Sequence, residues 1–272
     1  MVLRDIPESF YQNQFEFIAS CQGSSLDDFL IERKANPTNH FVLGNDAGDA
    51  DSIISAITLA YIESILHKDD WKNNVDQTPV VTVPKDSFIH QRPDVNLLLQ
   101  LAGIHDLSNK LLFLDDLKDI LENNTNDGNN EILRNRSISL VDHNTLNKSL
   151  RHFQKNLIVT EIVDHHKDEK QYKKTCSSDR RNIAFDHGHA LVASTATLVA
   201  ERLQEHSAPY PSSIGILLLG VILLDSVNLD DSVGKVTERD RDAVNDLLLY
   251  TDWKNAISSS YIKREGNGAI MI

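Results

Sequence analysis

Apolar residues recur along this chain in short runs, each followed by a polar turn and then by a stretch with helical spacing. HFVLG (40–44) is the first clear strand. A helix follows from about Asp51 through Leu66, with Ile53, Ile54, Ile57, Tyr61 and Ile65 at helical intervals. PVVTV (79–83) predicts a second strand, DVNLLLQLAG (94–103) a helix closing at Gly103, and KLLFL (110–114) a third strand. NNTNDGNN (123–130) reads as a polar surface loop. SISLV (137–141) and LIVTEIV (157–163) are buried strands around a helix or turn near 145–154. Next come a polar loop through about 181, an edge strand at NIAFD (182–186) and a helix over 193–205. A buried helix runs from Pro211 to Asp225, and Thr237 with Asp240 three residues on caps a last one. Ahead of all this, 8–20 and 25–34 are helical, with Ser24 or Ser25 as N-cap. No internal repeat is visible. The alternation predicts an α/β fold, a doubly wound, mostly parallel sheet with helices on both faces. It divides the chain into an N-terminal helical extension (1–39), a main domain (40–235) and a helix with a short tail (236–272).

Acidic residues cluster at the ends of these runs. SISLVDHN (137–144) and TEIVDHH (160–166) place Asp142 and Asp164 22 residues apart, each before a histidine. GNDAGDADS (44–52) adds Asp49 and Asp51, and GVILLDS (220–226) adds Asp225. In a doubly wound sheet such positions converge at the carboxyl edge, where ligands bind. Asp49, Asp51, Asp142 and Asp225 gathered there with an imidazole repel one another unless cations lie between them. The residue set calls for two divalent cations, Mn2+ or Mg2+, which prefer carboxylate oxygen and, for Mn2+, accept imidazole. Two such ions need a bridging carboxylate and hold a hydroxide aimed at phosphorus.

Composition narrows the setting. Two cysteines, Cys21 and Cys176, make no disulfide framework. The N-terminus lacks an apolar signal segment. The longest apolar run (214–224) is about half of a ~20-residue membrane span. These features predict a cytoplasmic protein without a membrane partner. A formal net charge of −13 excludes ordinary duplex nucleic-acid binding, which needs a basic face. It also disfavours polyanionic substrates unless metals reverse the local field.

The motifs together resemble the DHH phosphoesterases, and within them the fungal exopolyphosphatase and Prune branch, related to family II inorganic pyrophosphatases. The resemblance rests on GNDAGDADSIISAI, PKDSFIHQRPDV, LVDHN, IVDHH, STATLVAERL with LLLGVILLDSVNL, and GKVTERD, over about residues 40 to 250. It implies that Asp49 binds one metal and Asp51 the other. Asp142 and Asp225 are then shared or bridging, His165 binds the second metal, and His166 bonds the substrate phosphate. Asp142 and His166 are thereby the candidate catalytic residues. Asn45 stands where the pyrophosphatases have a histidine ligand, which points away from a true pyrophosphatase. It joins Arg92, Lys235 and His166 as candidate substrate contacts, with Lys167 and Arg239 as further cations.

The family carries a C-terminal domain that closes over the site, and only 47 residues follow Asp225. The expectation is therefore a site without its lid and a weakened activity. The reaction implied is release of terminal phosphate from inorganic polyphosphate. Two alternatives stand beside it. One is a phosphodiesterase acting on short or cyclic nucleotides; the other is a truncated Prune-like binding protein without catalysis.

Overall fold

The computed structural model describes residues 25–66, 76–126, 136–206 and 210–253. The helix expected over 8–20 and the tail after 253 lie outside them. The chain order begins with α1 (Leu26–Ala35), β1 (His40–Leu43), α2 (Ala50–Leu66), β2 (Thr78–Val81), α3 (Pro93–Leu101), β3 (Leu112–Phe113) and α4 (Leu114–Asn126). It continues with β4 (Arg136–Val141), β5 (Leu157–Asp164), β6 (Arg181–Ile183), the hairpin β7 (Phe185–Asp186) and β8 (His189–Ala190), α5 (Thr195–Glu205), α6 (Ser212–Asp225) and α7 (Glu238–Tyr250). Short helical turns at Phe88–Gln91 and Leu107–Lys110 and a 3-10 turn at Lys148–Phe153 fill the connections.

Six strands form one sheet in the order β3-β2-β1-β4-β5-β6, every pair parallel. The doubly wound expectation holds. The order reverses between β1 and β4, and an open parallel sheet has a crevice at its carboxyl edge where that happens. Both strands of the pair lead straight into the acidic motifs.

One core lies on the face covered by α1, α2, α3, α5, α6 and α7; it includes Ile54, Ile57, Leu99, Val199, Leu218 and Leu247. The other face is thinner. Leu117 and Leu121 of α4, Leu150 and Phe153 of the 3-10 turn, and Cys176 pack there on Phe41, Leu140 and Ile162. α2 is buried through Glu63, as a helix wedged between sheet and helices must be.

Boundaries differ from the sequence reading in three places. Residues 114–126 form a helix rather than strand end and loop, because Leu114, Leu117 and Leu121 share one face of it. The polar stretch from Asn123 therefore begins inside that helix. NIAFD splits, with β6 joining the sheet edge and β7 turning back on β8. Third, β5 carries a bulge. Ile138 pairs with Val159 but Ser139 pairs with Glu161, so Thr160 is extra. The shift drops Glu161 into the interior, where Ser139 Oγ donates to it at 2.7 Å and Arg202 Nη1 at 2.6 Å. Arg202 Nε also reaches the buried Glu63 at 2.7 Å. Ser25 forms a capping box with Asp28, and Thr237 forms one with Asp240, both as expected.

Candidate metal centre at the carboxyl edge

The turn after β1 is drawn tight by glycine. A Cβ on Gly44 would stand 2.8 Å from the Ser52 Cβ and 2.9 Å from its carbonyl oxygen, so only glycine lets α2 start this close to β1. Gly48 has φ +54 and abuts Val83. Thr82 Oγ1 donates to the Asn45 carbonyl at 2.8 Å, Asn147 Nδ2 to the Gly44 carbonyl at 3.0 Å, and Arg92 Nη2 to the Ala47 carbonyl at 2.5 Å. The loop is held from three elements.

That turn aims the first helical residues across to β4. Ser52 Oγ donates to Asp142 Oδ2 at 2.6 Å, and Asn45 Nδ2 donates to the same oxygen at 2.7 Å. Asp142 is buried and left-handed, with φ +61. Its other oxygen, Oδ1, faces His165 Nε2 at 3.3 Å and His166 Nδ1 at 3.5 Å. His165 Nε2 is also 3.7 Å from Asp51 Oδ2. One ligand atom each from Asp142, His165 and His166 fall within 4.8 Å of one another.

His165 is turned by a backbone contact: its Nδ1 donates to the Val192 carbonyl at 3.1 Å. This fixes the tautomer and leaves Nε2 for the carboxylates, as metal-binding histidines are held. His166 is turned oppositely. Its Nδ1 donates to Asp164 Oδ1 at 2.9 Å, and its side chain is 57% exposed, so Nε2 faces outward. Asn144 Nδ2 fixes the second oxygen of Asp164 at 2.6 Å.

Asp49 accepts from the Ser52 amide at 3.0 Å as the N-cap of α2. Asp51, buried, is cradled by the start of α5: Ser194 Oγ (2.7 Å), Thr195 N (2.8 Å) and Ala196 N (2.9 Å) all donate to it. That strap is anchored in turn by Asp240 of α7, which accepts from Ala193 N and Thr197 Oγ1. Asp225 arrives at the end of α6. Its Oδ2 is buried and has no hydrogen-bond partner among the described residues.

The electrostatics show what is wanting. Burial, then the charges of Asp142 and Asp225, push the Asp51 carboxyl up to about 8. Burial, with Asp49 and Asp142 nearby, pushes Asp225 up to about 6. Burial opposes a charge on His165, yet the hydrogen bond to Asp142 and the charge of Asp51 raise it to about 9. A buried cluster that gathers protons, with an orphaned carboxylate oxygen, has room for positive charge. Asp49, Asp51, Asp142, His165 and Asp225 fit a site for divalent cations.

The remaining cations divide. Arg239 is committed to a two-pronged pair with Glu201, at 2.7 and 2.6 Å. Arg92 is spent on the Ala47 carbonyl at the rim. Lys167, next to His166, and Lys235, before α7, are exposed. Both ends of Asn45 are also used, since its Oδ1 caps Ala47 N (2.8 Å) and Gly48 N (3.0 Å). Sequence reasoning missed Ser52, Asp164, Asn144, the 192–196 strap and Asp240 as supports. The serine of DADS and the asparagine of VDHN were the available signals.

A doubly wound sheet with these carboxylates at its switch point matches one family over residues 39–223, described as DHH family, N-terminal domain. The chain belongs to the DHH family. It is 32% identical over 233 residues to "Exopolyphosphatase PRUNE1" of Rattus norvegicus, covering 84% of this chain and 46% of that one. It is 30% identical over 227 residues to a Schizosaccharomyces pombe protein named provisionally as an exopolyphosphatase, with 80% and 52% covered. The chain thus spans about half the length of these relatives. A solved Methanococcus jannaschii structure, assigned provisionally as a family II inorganic pyrophosphatase, aligns with TM-score 0.46 at 20% identity, over 80% of this chain and 57% of that one. Among the described residues no helix is long and apolar enough to cross a membrane.

Proposed function

We propose that the chain is a divalent-cation-dependent phosphoanhydride hydrolase that removes terminal phosphate from inorganic polyphosphate. The observation that carries the reading is the buried, partnerless Oδ2 of Asp225 set among Asp49, Asp51, Asp142 and His165. A buried carboxylate oxygen left without a partner calls for an explanation, and among other acidic groups a bound cation is one that fits. The names of the rat and fission-yeast relatives support polyphosphate as the substrate class.

Asp49 would hold one cation, Asp51 and His165 the other, and Asp142 with Asp225 would be shared between the two. Two Mn2+ or Mg2+ ions bound there would supply Lewis-acid polarisation of phosphate oxygens and would lower the pKa of water. Everything else is the work of the chain. Asn45 and Ser52 hold one oxygen of Asp142 and leave the other toward the histidines. Val192 orients His165. Asp164 holds the Nδ1 proton of His166 and, with its charge, raises the histidine above its ordinary value, although burial opposes it. His166 thereby presents a protonated Nε2 to a phosphate oxygen and can give that proton to the leaving chain.

The test is phosphate release from polyphosphate by the purified chain with Mg2+ or Mn2+, with and without chelator. Cation-dependent release that is absent for a cyclic dinucleotide supports the proposal. Cleavage of the dinucleotide alone would replace it with a phosphodiesterase.

A further inference from the structure

The net charge of −13 hides a local reversal. Between Lys148 and Arg181 the chain carries nine lysines and arginines against five acidic residues. Two of those five, Glu161 and Asp164, are buried. The cations that remain without an acidic partner among the described residues are Lys148, Arg151, Lys155, Lys167, Lys170, Lys173 and Lys174, all exposed. Elsewhere among the described residues Lys34, Lys110, Lys118, Arg33, Arg202, Arg239 and Arg241 each have an acidic partner within 4.0 Å, while Lys85, Arg92, Arg136 and Lys235, scattered along the chain, are in no such pair.

Their place in the fold is set by topology. The β4–β5 connection leaves the carboxyl edge at Asp142 and re-enters the sheet at Leu157, at the opposite edge. The β5–β6 connection leaves at Asp164 and re-enters at Arg181. Both run down the thinner face, where Leu150, Phe153 and Cys176 share one core with Tyr172. They are tied side by side. Leu146 N donates to the Tyr172 hydroxyl at 2.9 Å, and Asn144 joins the Lys167 carbonyl (3.0 Å) and the Glu169 amide (2.9 Å). At the top, Lys148 N donates to Asp46 of the first motif at 3.1 Å. The two loops therefore run side by side from the rim of the carboxylate cluster down the thinner face, and the exposed cations are carried along them.

We infer that this basic stripe is a track for the non-reacting phosphates of a linear polyphosphate chain whose end lies in the carboxylate cluster. The inference rests on the polyphosphate reading of that cluster. A polyanion laid along unpaired cations releases counterions and gains affinity without any shape requirement, so the binding weakens steeply with salt. Lysine suits a repeating phosphate as a point charge that need not read geometry. The stripe has adverse charges too, Glu169 and Asp179 on its own loop and Asp46 at its head. Asp168 is neutralised by Arg181 at 2.7 Å. The chain is steered to the mouth by the cations of one face while the acidic remainder repels it.

The test uses the full chain and the variant Lys170→Glu/Lys173→Glu/Lys174→Glu, with Lys173→Gln/Lys174→Gln as a milder second. Binding of long-chain polyphosphate is measured in chelator, where no hydrolysis occurs, at low and high salt. KM is then measured with Mg2+ for long-chain polyphosphate and for tripolyphosphate. We expect the triple variant to bind the long chain at least tenfold more weakly at low salt. The double variant should fall between, and the differences should shrink at high salt. KM should rise for the long chain and stay unchanged for tripolyphosphate. Equal long-chain affinity of wild type and both variants overturns the track, as does a wild type that binds no polyphosphate. A wild type that binds but does not hydrolyse, with binding lost in the variant, keeps the track and defeats the hydrolase reading. An oligonucleotide of matched charge that displaces the polyphosphate at equal concentration overturns it in favour of a nucleic-acid surface.

Discussion

Asn45 gives its amide nitrogen to Oδ2 of Asp142 at 2.7 Å while its own Oδ1 caps the two backbone amides that close the first motif. One side chain thus ties the turn of β1 to the end of β4 across the switch point. The resemblance placed Asn45 where the pyrophosphatases have a histidine ligand, and offered it as a substrate contact. The geometry supports a different proposal, that it acts through Asp142.

Asn45→Ala should therefore cost both stability and cation affinity. Losing these bonds around a buried carboxylate is worth about 1–3 kcal/mol. Thermal denaturation of the metal-free variant reads the first effect, and cation titration reads the second. A variant with unchanged midpoint and unchanged affinity leaves Asn45 without the role given to it.

The acidic cluster makes the metal-free protein pH-sensitive in a definite direction. Burial and neighbouring charge raise Asp51 from 3.8 to about 8 and Asp225 to about 6. The folded state there binds more protons than the unfolded one, so stability falls as pH rises. For His165, hydrogen bonding to Asp142 outweighs burial and raises the group from 6.5 to about 9. Its contribution is full below 6.5 and is lost as pH passes 9. All three slopes have the same sign, with Asp225 acting up to about pH 6 and Asp51 and His165 carrying the decline above it. The midpoint of the metal-free protein should drop between pH 6 and 9, and saturating Mg2+ or Mn2+ should flatten that decline. A metal-free midpoint that climbs over this range contradicts the assignment.

Cation binding must expel the same protons. At pH 7, calorimetry in two buffers of different ionisation heat should show roughly one to two protons released on loading. Affinity should tighten from pH 6 to pH 8. Binding without proton release would mean that the cations sit away from His165 and Asp51.

His166 and Asp164 predict the shape of the rate profile. The hydrogen bond to Asp164 raises His166 above its ordinary value. Asp164 itself is buried, which opposes its charge, but the bonds from His166 and Asn144 prevail and lower it. If His166 works protonated, kcat falls as pH rises through its folded value. Asp164→Asn should move that limb to lower pH. An unmoved limb assigns the titration to another group.

How far these features could be read in advance differs by element. The strands of LVDHN and IVDHH were legible because a buried parallel strand is a plain apolar run, and each leads directly into its Asp-His pair. The helix over 114–126 was not, since LDDLKDILENNTN spaces few leucines among many polar residues and fades into a polar stretch. The bulge at Thr160 was hidden for another reason. LIVTEIVD looks continuous, and only the pairing shows that Glu161 turns inward to Arg202. Arg202→Ala should expose this by costing about 3–5 kcal/mol, because the buried Glu63 would lose its Arg202 contact and Glu161 would keep the longer one to Arg180 at 3.5 Å. Within the site, the candidate ligands came from motif ends. The 192–196 strap and Asp240 carry no motif and act through backbone amides, which a sequence does not display.

The central claim is that Asp142 joins two cations. Asp142→Asn keeps the side-chain shape and tolerates the left-handed backbone at φ +61, so the fold, checked by circular dichroism, should persist. The direct measurement is the number of tightly bound Mn2+ ions per chain, by equilibrium dialysis, for wild type and for this variant beside Asp49→Asn and Asp51→Asn. The account predicts two ions in wild type, loss of mainly one in each of the flanking variants, and loss of both in Asp142→Asn. Two ions still tightly held by Asp142→Asn would contradict it.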